Sequence, residues 1–438
     1  MKETIVPSAR IPGIRVIPNS MSGMLSRVGR KALMTLLRKL ERGNINIVEG
    51  ESRTVFGEAS EQKTLSATVF VNDPRFYTDM FFGGSIGAGE SYMAGFWRCD
   101  DLTQLIRIII MNRNVFNAFD GGPAKLTAPV HRVLHFLRNN TREGSRKNIS
   151  AHYDLGNDFY ALFLDETMTY SCAVFDPPGC SLAEASVEKY DRICRKLDLS
   201  PGDHVLEIGA GWGGFAIHAA KRYGCRVTTT TISREQHNFA RNRIAEAGLS
   251  SSIELLFKDY RDLEGKYDRL VSIEMIEAVG HNYLDTFLRC CSQRLKDDGL
   301  MLLQCITITD QAYEAHISSA DFIKRYIFPG SFIPSIRAIS QAVSQSTDLS
   351  IVHREDITTH YVTTLRNWRE RFFDRIGDVR NLGYPQSFIN MWEYYLCYCE
   401  AGFAERYLGD VQMLFTKPLS RKPQLLLKGG EQTCSEIS

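Results

Sequence analysis

HVLEIGAGWGGFAIHAA, residues 204–220, decides the fold. An apolar run enters Gly209-Ala210-Gly211-Trp212-Gly213-Gly214, and an alanine-rich stretch follows. Gly209, Gly211 and Gly214 satisfy GxGxxG, a strand–turn–helix in which glycine lets the backbone turn tightly and approach a ligand. Glu207 stands two residues before the first glycine. A carboxylate there suits a ligand's amino or hydroxyl groups and would repel a pyrophosphate. The next strand ends in VTTTTIS and supplies no acid for a ribose diol. Ser233-x-x-Gln236 reads as a capping box and places Glu235 in the first turn of a helix. An acid, GxGxG and a helix form the pattern of S-adenosylmethionine (SAM) binding. A dinucleotide site and a purely structural turn remain as alternatives.

Around this turn, strand patterns at 204–208, 226–232, 253–257, 269–273 and 300–308 alternate with helical ones. That order predicts an α/β chain: a doubly wound, Rossmann-like parallel sheet. A smaller N-terminal α+β domain precedes it at 21–125. Its stretches TLSATVFV and FYTDMFFGG read as short strands, and ESYMAGFW as a helix. The other expected segments are a flexible arm (1–20), a basic helical linker (126–147), a catalytic domain (148–417) and a disordered tail (418–438). Residues 24–42 form a basic amphipathic helix, with Arg27, Arg30, Lys31, Arg38, Lys39 and Arg42 against Glu41 alone. It either packs between domains or meets anionic lipid.

Fifty-two basic and fifty-one acidic residues among 438 argue against a bulk nucleic-acid binder. Eleven scattered cysteines with no CxxC indicate neither a disulfide scaffold nor a metal site, and no metal is expected. No signal segment and no apolar run near the ~18 residues of a membrane span is evident. A cytoplasmic protein, peripheral to the inner face of the membrane, is expected.

HYDLGNDFY (152–160), MTYSCAVF (168–175), LEIGAGWGG, TTISREQ, KDYRDL, YDRLVSIEMIEAVG, DFIKRYIFPG and HYVTTLRNW follow in order. Together they resemble the cyclopropane-fatty-acyl-phospholipid synthase family, which includes the mycolic acid cyclopropane synthases. GSIGAGESYMAGFW, at 84–97, extends the likeness into the N-terminal region. The resemblance implies methylene transfer from SAM to a cis double bond of an unsaturated phospholipid acyl chain, in a homodimer. It implies cofactor contacts at Tyr170, Ser171, Gly209, Gly211, Thr231, Gln236, Asp259 and Tyr260, to which the turn itself adds Glu207 and Gly213. It also implies a bicarbonate base held by Cys172, Glu277, Ile306, Tyr361 and a position that is His in well-known members and Gln304 here. His152 is a further catalytic candidate.

Methylating an alkene leaves a carbocation. The site must be dry, stabilise positive charge without attacking it, and remove a proton. Tyr170, Tyr326 and Tyr361 are candidate aromatic faces, each worth ~0.5–2 kcal/mol in cation–π attraction. Glu274, one turn before Glu277, is the rival carboxylate. The plainer alternatives are that Cys172 and Tyr361 are packing residues and His152 a core histidine. Gln304 can donate to an anion but cannot carry a charge or relay a proton. The anion site is therefore expected to survive with altered pH dependence. A badly placed base would let a hydride shift give a methylene- or methyl-branched chain instead of a ring. The apolar loop at 328–334 is expected to open toward the acyl chain.

Overall fold

The computed structural model describes residues 19–57, 65–120, Gly144 and 155–421. The expected arm through residue 18, the linker (Gly144 apart), His152 and the tail beyond 421 lie outside the described residues.

Helix α1 (Asn19–Leu37) buries Leu33, Met34 and Leu37 and turns Met24, Arg27, Val28 and Lys31 outward. Strands β1 (Asn44–Glu49), β2 (Ser52–Phe56), β3 (Ser66–Val71) and β4 (Trp97–Cys99) make a sheet of order β2-β1-β3-β4. Helix α2 (Arg75–Met93) lies between β3 and β4. Its first half is FYTDMFFGG, expected as a strand. The side chain of Asp73 accepts from Arg75 N–H at 2.8 Å, and Pro74 sets a helical start. Phe76 and Tyr77 are then buried side by side, which alternation would forbid. Gly84, at φ 55°, ψ −137°, breaks this helix midway. Helix α3 (Leu102–Met111) is capped by Asp101, which accepts from Gln104 N–H at 2.9 Å.

Farther along, α4 (Leu182–Lys196) begins with a full Ser181/Glu184 capping box. The glycine turn joins β5 (His204–Ile208) to α5 (Gly214–Tyr223), followed by β6 (Arg226–Thr230), α6 (Arg234–Glu246), β7 (Ile253–Leu256) and β8 (Tyr267–Ile273). Then come β9 (Leu295–Ile308), β10 (Ser350–Asp356), α7 (Thr358–Asp374), α8 (Gln386–Ala404) and β11 (Leu408–Thr416). The sheet order is β10-β11-β9-β8-β5-β6-β7, and β9, β8, β5, β6 and β7 are parallel as expected. The pair β10 and β11, absent from the expected strands, adds antiparallel pairing on the β9 side.

One apolar cluster runs unbroken from Leu33 and Ile45 to Trp368 and Trp392. Helix α8 fastens the two sheets together. Tyr92 donates to Glu393 at 2.8 Å, and Thr103 to Glu400 at 3.3 Å. The four-stranded sheet is thus built onto the edge of the site described next.

Candidate active site

The carboxyl ends of β5, β6, β8 and β9 converge on a cavity of about 740 Å³, where open parallel sheets place their ligands. Tyr170, Ser171, Glu207, Gly209, Gly211, Thr231, Gln236, Asp259 and Tyr260 all line it. Gly209 stands at φ 102° and Gly211 at φ 51°; nothing lies within 4 Å of a side chain added at Gly211, so the backbone itself faces the space. Gly213 does not line the cavity. At φ 86° it caps α5, and a Cβ there would sit 3.3 Å from Ala240, so it serves helix packing and not the ligand. Ser233 does cap α6, accepting from Gln236 N–H at 3.3 Å. Thr231 donates to Gln236 at 2.9 Å, and Lys189, fully buried, donates to Ser171 at 2.6 Å. Glu207 accepts from Thr229 at 2.5 Å, and burial pushes its pKa up to about 8. Arg261 holds Asp259 through two bonds to Oδ1 and one to Oδ2. Trp212 donates to Asn157 at 2.6 Å and forms wall.

The other half of the cavity is organised by Glu274. It follows β8 directly and adopts φ 47°, a left-handed conformation costing about 1–3 kcal/mol for a residue other than glycine. Its Oε1 accepts from Cys172 N–H and from the Gln304 amide, both at 2.8 Å; its Oε2 accepts from Tyr361 O–H at 2.6 Å. Glu277 Oε1 accepts from Ile306 N–H at 2.6 Å. Its Oε2 is buried without a partner among the described residues. Burial, with Glu274 beside it, pushes Glu277 up to about 8. Asp410 on β11 is fully buried, with no donor on either oxygen among the described residues. Burial and the neighbouring Glu274 and Glu277 push it well above the usual carboxylate range.

Glu277, Ile306 and Tyr361 face the cavity, whereas Cys172 and Gln304 lie behind Glu274, fully buried. Cys172 contributes its backbone N–H. Its thiol points to the Ala173 carbonyl at 3.2 Å, and burial raises its pKa well above the ordinary value. These contacts test the bicarbonate expectation. Three of the groups expected to hold a free anion already hold the carboxylate of Glu274, and adding a second anion there would set two negative charges against each other. Bicarbonate does not fit this arrangement, because a built-in carboxylate has taken its donors.

Of the aromatic candidates, Tyr170 and Tyr361 line the cavity, with Tyr170 bonded to Tyr395 at 2.8 Å and Tyr361 stacked on Phe403 at 4.3 Å. Tyr326 does not line it; its hydroxyl donates to Glu90 of α2 at 2.6 Å. Phe328, Tyr395 and Phe403 complete the ring of faces, and Pro329, Ser331, Phe332 and Ile333 of the expected loop lie along the same wall. Ser85, Ile86 and Ile110 of the N-terminal part close its far side. Sequence reasoning missed Asp410, Lys189 and Phe403. The signal for Asp410 was the lone acid in LGDVQMLFT.

The family model for mycolic acid cyclopropane synthetase matches residues 140–413. The tuberculostearic acid methyltransferase UfaA1 of Mycobacterium tuberculosis is 41% identical over 347 residues, 75% of this chain and 78% of that protein. The cyclopropane-fatty-acyl-phospholipid synthase of Escherichia coli is 34% identical over 357 residues, 80% of this chain and 88% of that one. The solved structure of mycolic acid cyclopropane synthase CmaA1, complexed with SAH and CTAB, superposes with a TM-score of 0.58 at 31% identity, covering 62% of this chain and 98% of that one. A methyltransferase-type sheet, a glycine turn opening on a greasy cavity and these likenesses agree: the chain belongs to the mycolic acid cyclopropane synthetase family.

Proposed function

We propose that this chain methylates a cis double bond in the acyl chain of a phospholipid, with SAM as donor, and closes a cyclopropane ring by giving the surplus proton to Glu274. The observation that carries this reading is one continuous cavity with the glycine turn and Glu207 at one end and Glu274 among aromatic faces at the other. SAM would be held by Glu207, Gly209, Gly211, Asp259 and Tyr170, and supplies an electrophilic methyl on a sulfonium. The residues do the rest. Tyr170, Tyr361, Phe328 and Phe403 offer faces to positive charge and no strong nucleophile to trap it. Cys172, Gln304 and Tyr361 fix the carboxylate of Glu274 as a proton acceptor and keep it from swinging into the cation.

A second reading, methylation without ring closure, is favoured by the 41% identity to a protein named for tuberculostearic acid. Here a hydride shift moves the cation to the methyl-bearing carbon, and loss of a proton from the new methyl to Glu274 leaves an exocyclic methylene. Incubating the protein with labelled SAM and vesicles of cis-unsaturated phospholipid, followed by NMR of the saponified acids, separates the two: cyclopropane methylene signals support ring closure, and olefinic methylene signals support the second reading. No transfer of label to lipid contradicts both.

Access to a bilayer is attributed to α1 and the turn that follows it, since the helix expected to reach residue 42 ends at Leu37. Arg27 and Lys31 on the helix and Arg38 and Lys39 in the turn are exposed, as are Met24 at 78% and Val28 at 45%, while Arg30 is paired with Glu49 at 2.5 Å. Each surface cation contributes about 1 kcal/mol toward anionic lipid. Arg38→Glu with Lys39→Glu should therefore weaken sedimentation with anionic vesicles about tenfold or more. Unchanged binding would remove α1 and its following turn from the account.

A further inference from the structure

A row of polar side chains crosses the sheet behind Glu274. In the strand register Glu355 of β10 faces Gln412 of β11, Gln412 faces Gln304 of β9, and Gln304 faces Ile273, the residue before Glu274. Lys196, from the last turn of α4, reaches in between Glu355 and Gln412 and bonds to both. Gln304 and Gln412 are completely buried, and Lys196 nearly so.

We propose that Gln412 and Lys196 are positioning residues that fix which end of the Gln304 amide faces Glu274. The inference rests on the reading of Glu274 as proton acceptor. An amide has a donor end and an acceptor end of nearly the same shape, so a neighbour must decide its orientation. Both ends of this row are decided. Lys196 can only donate, and its Nζ lies 2.7 Å from Gln412 Oε1. That leaves Gln412 Nε2 to donate to Gln304 Oε1 at 3.0 Å. Gln304 Nε2 then donates to Glu274 Oε1 at 2.8 Å and to the Cys172 carbonyl at 3.4 Å. Reversing any one amide sets oxygen against oxygen, and at Gln304 it sets a carbonyl against the carboxylate. The row thus carries the polarity of a buried ammonium through two amides to the reacting acid. Glu355 anchors its outer end and is itself paired with Arg192.

The test uses the full chain, labelled SAM and cis-unsaturated phospholipid vesicles. Gln412→Glu presents Gln304 with an acceptor only, turns the amide round and faces its carbonyl to Glu274. Its kcat should fall about a hundredfold, with the KM for SAM unchanged. Gln412→Met and Lys196→Met, which remove the constraint without reversing it, should lose about tenfold. Lys196→Arg keeps the donor and should stay near wild type. A Gln412→Glu kcat within about threefold of wild type, or a Lys196→Arg loss equal to that of Lys196→Met, overturns the proposal. If Gln412→Glu does not fold, the Lys196 pair decides. Neutron diffraction reads the same claim without turnover. The Gln304 deuterons should point at Glu274 in the wild type, and pointing away contradicts the inference. An inactive wild type with the deuterons correctly placed would instead contradict the reading of the reaction.

Discussion

Two acids on one cavity wall stand at neighbouring carboxyl ends of one sheet and are treated in opposite ways. Glu207, at the end of β5, has Thr229 as its hydrogen-bond partner, and burial holds its pKa near 8. Glu274, just past β8, takes donors from Cys172, Gln304 and Tyr361 and accepts a strained backbone to do so. A thinly partnered carboxylate on a cavity wall is left open to a ligand's hydroxyl groups. A triply held one is a fixed part of the protein, suited to receive a proton without moving. The donors around each acid therefore separate their roles.

The contrast breaks hardest at Glu274. Glu274→Gln keeps the shape and removes the acceptor, so turnover should fall about a thousandfold while calorimetry finds SAM affinity little changed. Tyr361→Phe deletes one donor to that carboxylate and should cost about tenfold to a hundredfold in kcat. If both variants instead lose SAM binding, Glu274 belongs to the cofactor half and the contrast is void. Glu207→Gln should do the reverse, weakening SAM about tenfold with kcat nearly intact. The smallest effect is on stability. Glu207 and Glu277 have folded-state pKa values raised from 4.5 to about 8. An acid so raised binds its proton more tightly when folded, so its contribution is complete below about 4.5 and is lost as pH climbs through 8. The melting temperature should fall across that window, and fall less in Glu207→Gln. Identical slopes would mean that Glu207 is not the protonated, desolvated group described here.

What the sequence disclosed follows the same division. Local chain chemistry made the glycine-turn half of the cavity readable: the turn needs glycines at Gly209 and Gly211, Ser233 caps its helix, and parallel strands open on one crevice. Gly213 misled because a positive φ serves a turn as readily as a ligand. FYTDMFFGG misled because aromatic residues suit strands, yet Asp73 and Pro74 start a helix there. The acid pocket was only half readable. Glu274 was visible as a second carboxylate, but the partners that distinguish it from Glu277 (Cys172, Gln304 and Tyr361) come from three separate places in the chain. The antiparallel pair β10 and β11, which brings Asp410 and Gln412 to the site, carried no turn signal to announce it. Long-range pairing of that kind is set by tertiary packing, which local propensity does not report.

The central claim is that the proton-accepting anion is built into the chain. Its most direct test is turnover of labelled SAM on cis-unsaturated phospholipid vesicles in bicarbonate-free buffer, beside the variant Glu274→Gly, which suits the left-handed backbone at that position. The account predicts wild-type turnover unaffected by removing bicarbonate, and a variant that is inactive until bicarbonate is returned. A wild type that loses activity when bicarbonate is withdrawn would contradict it.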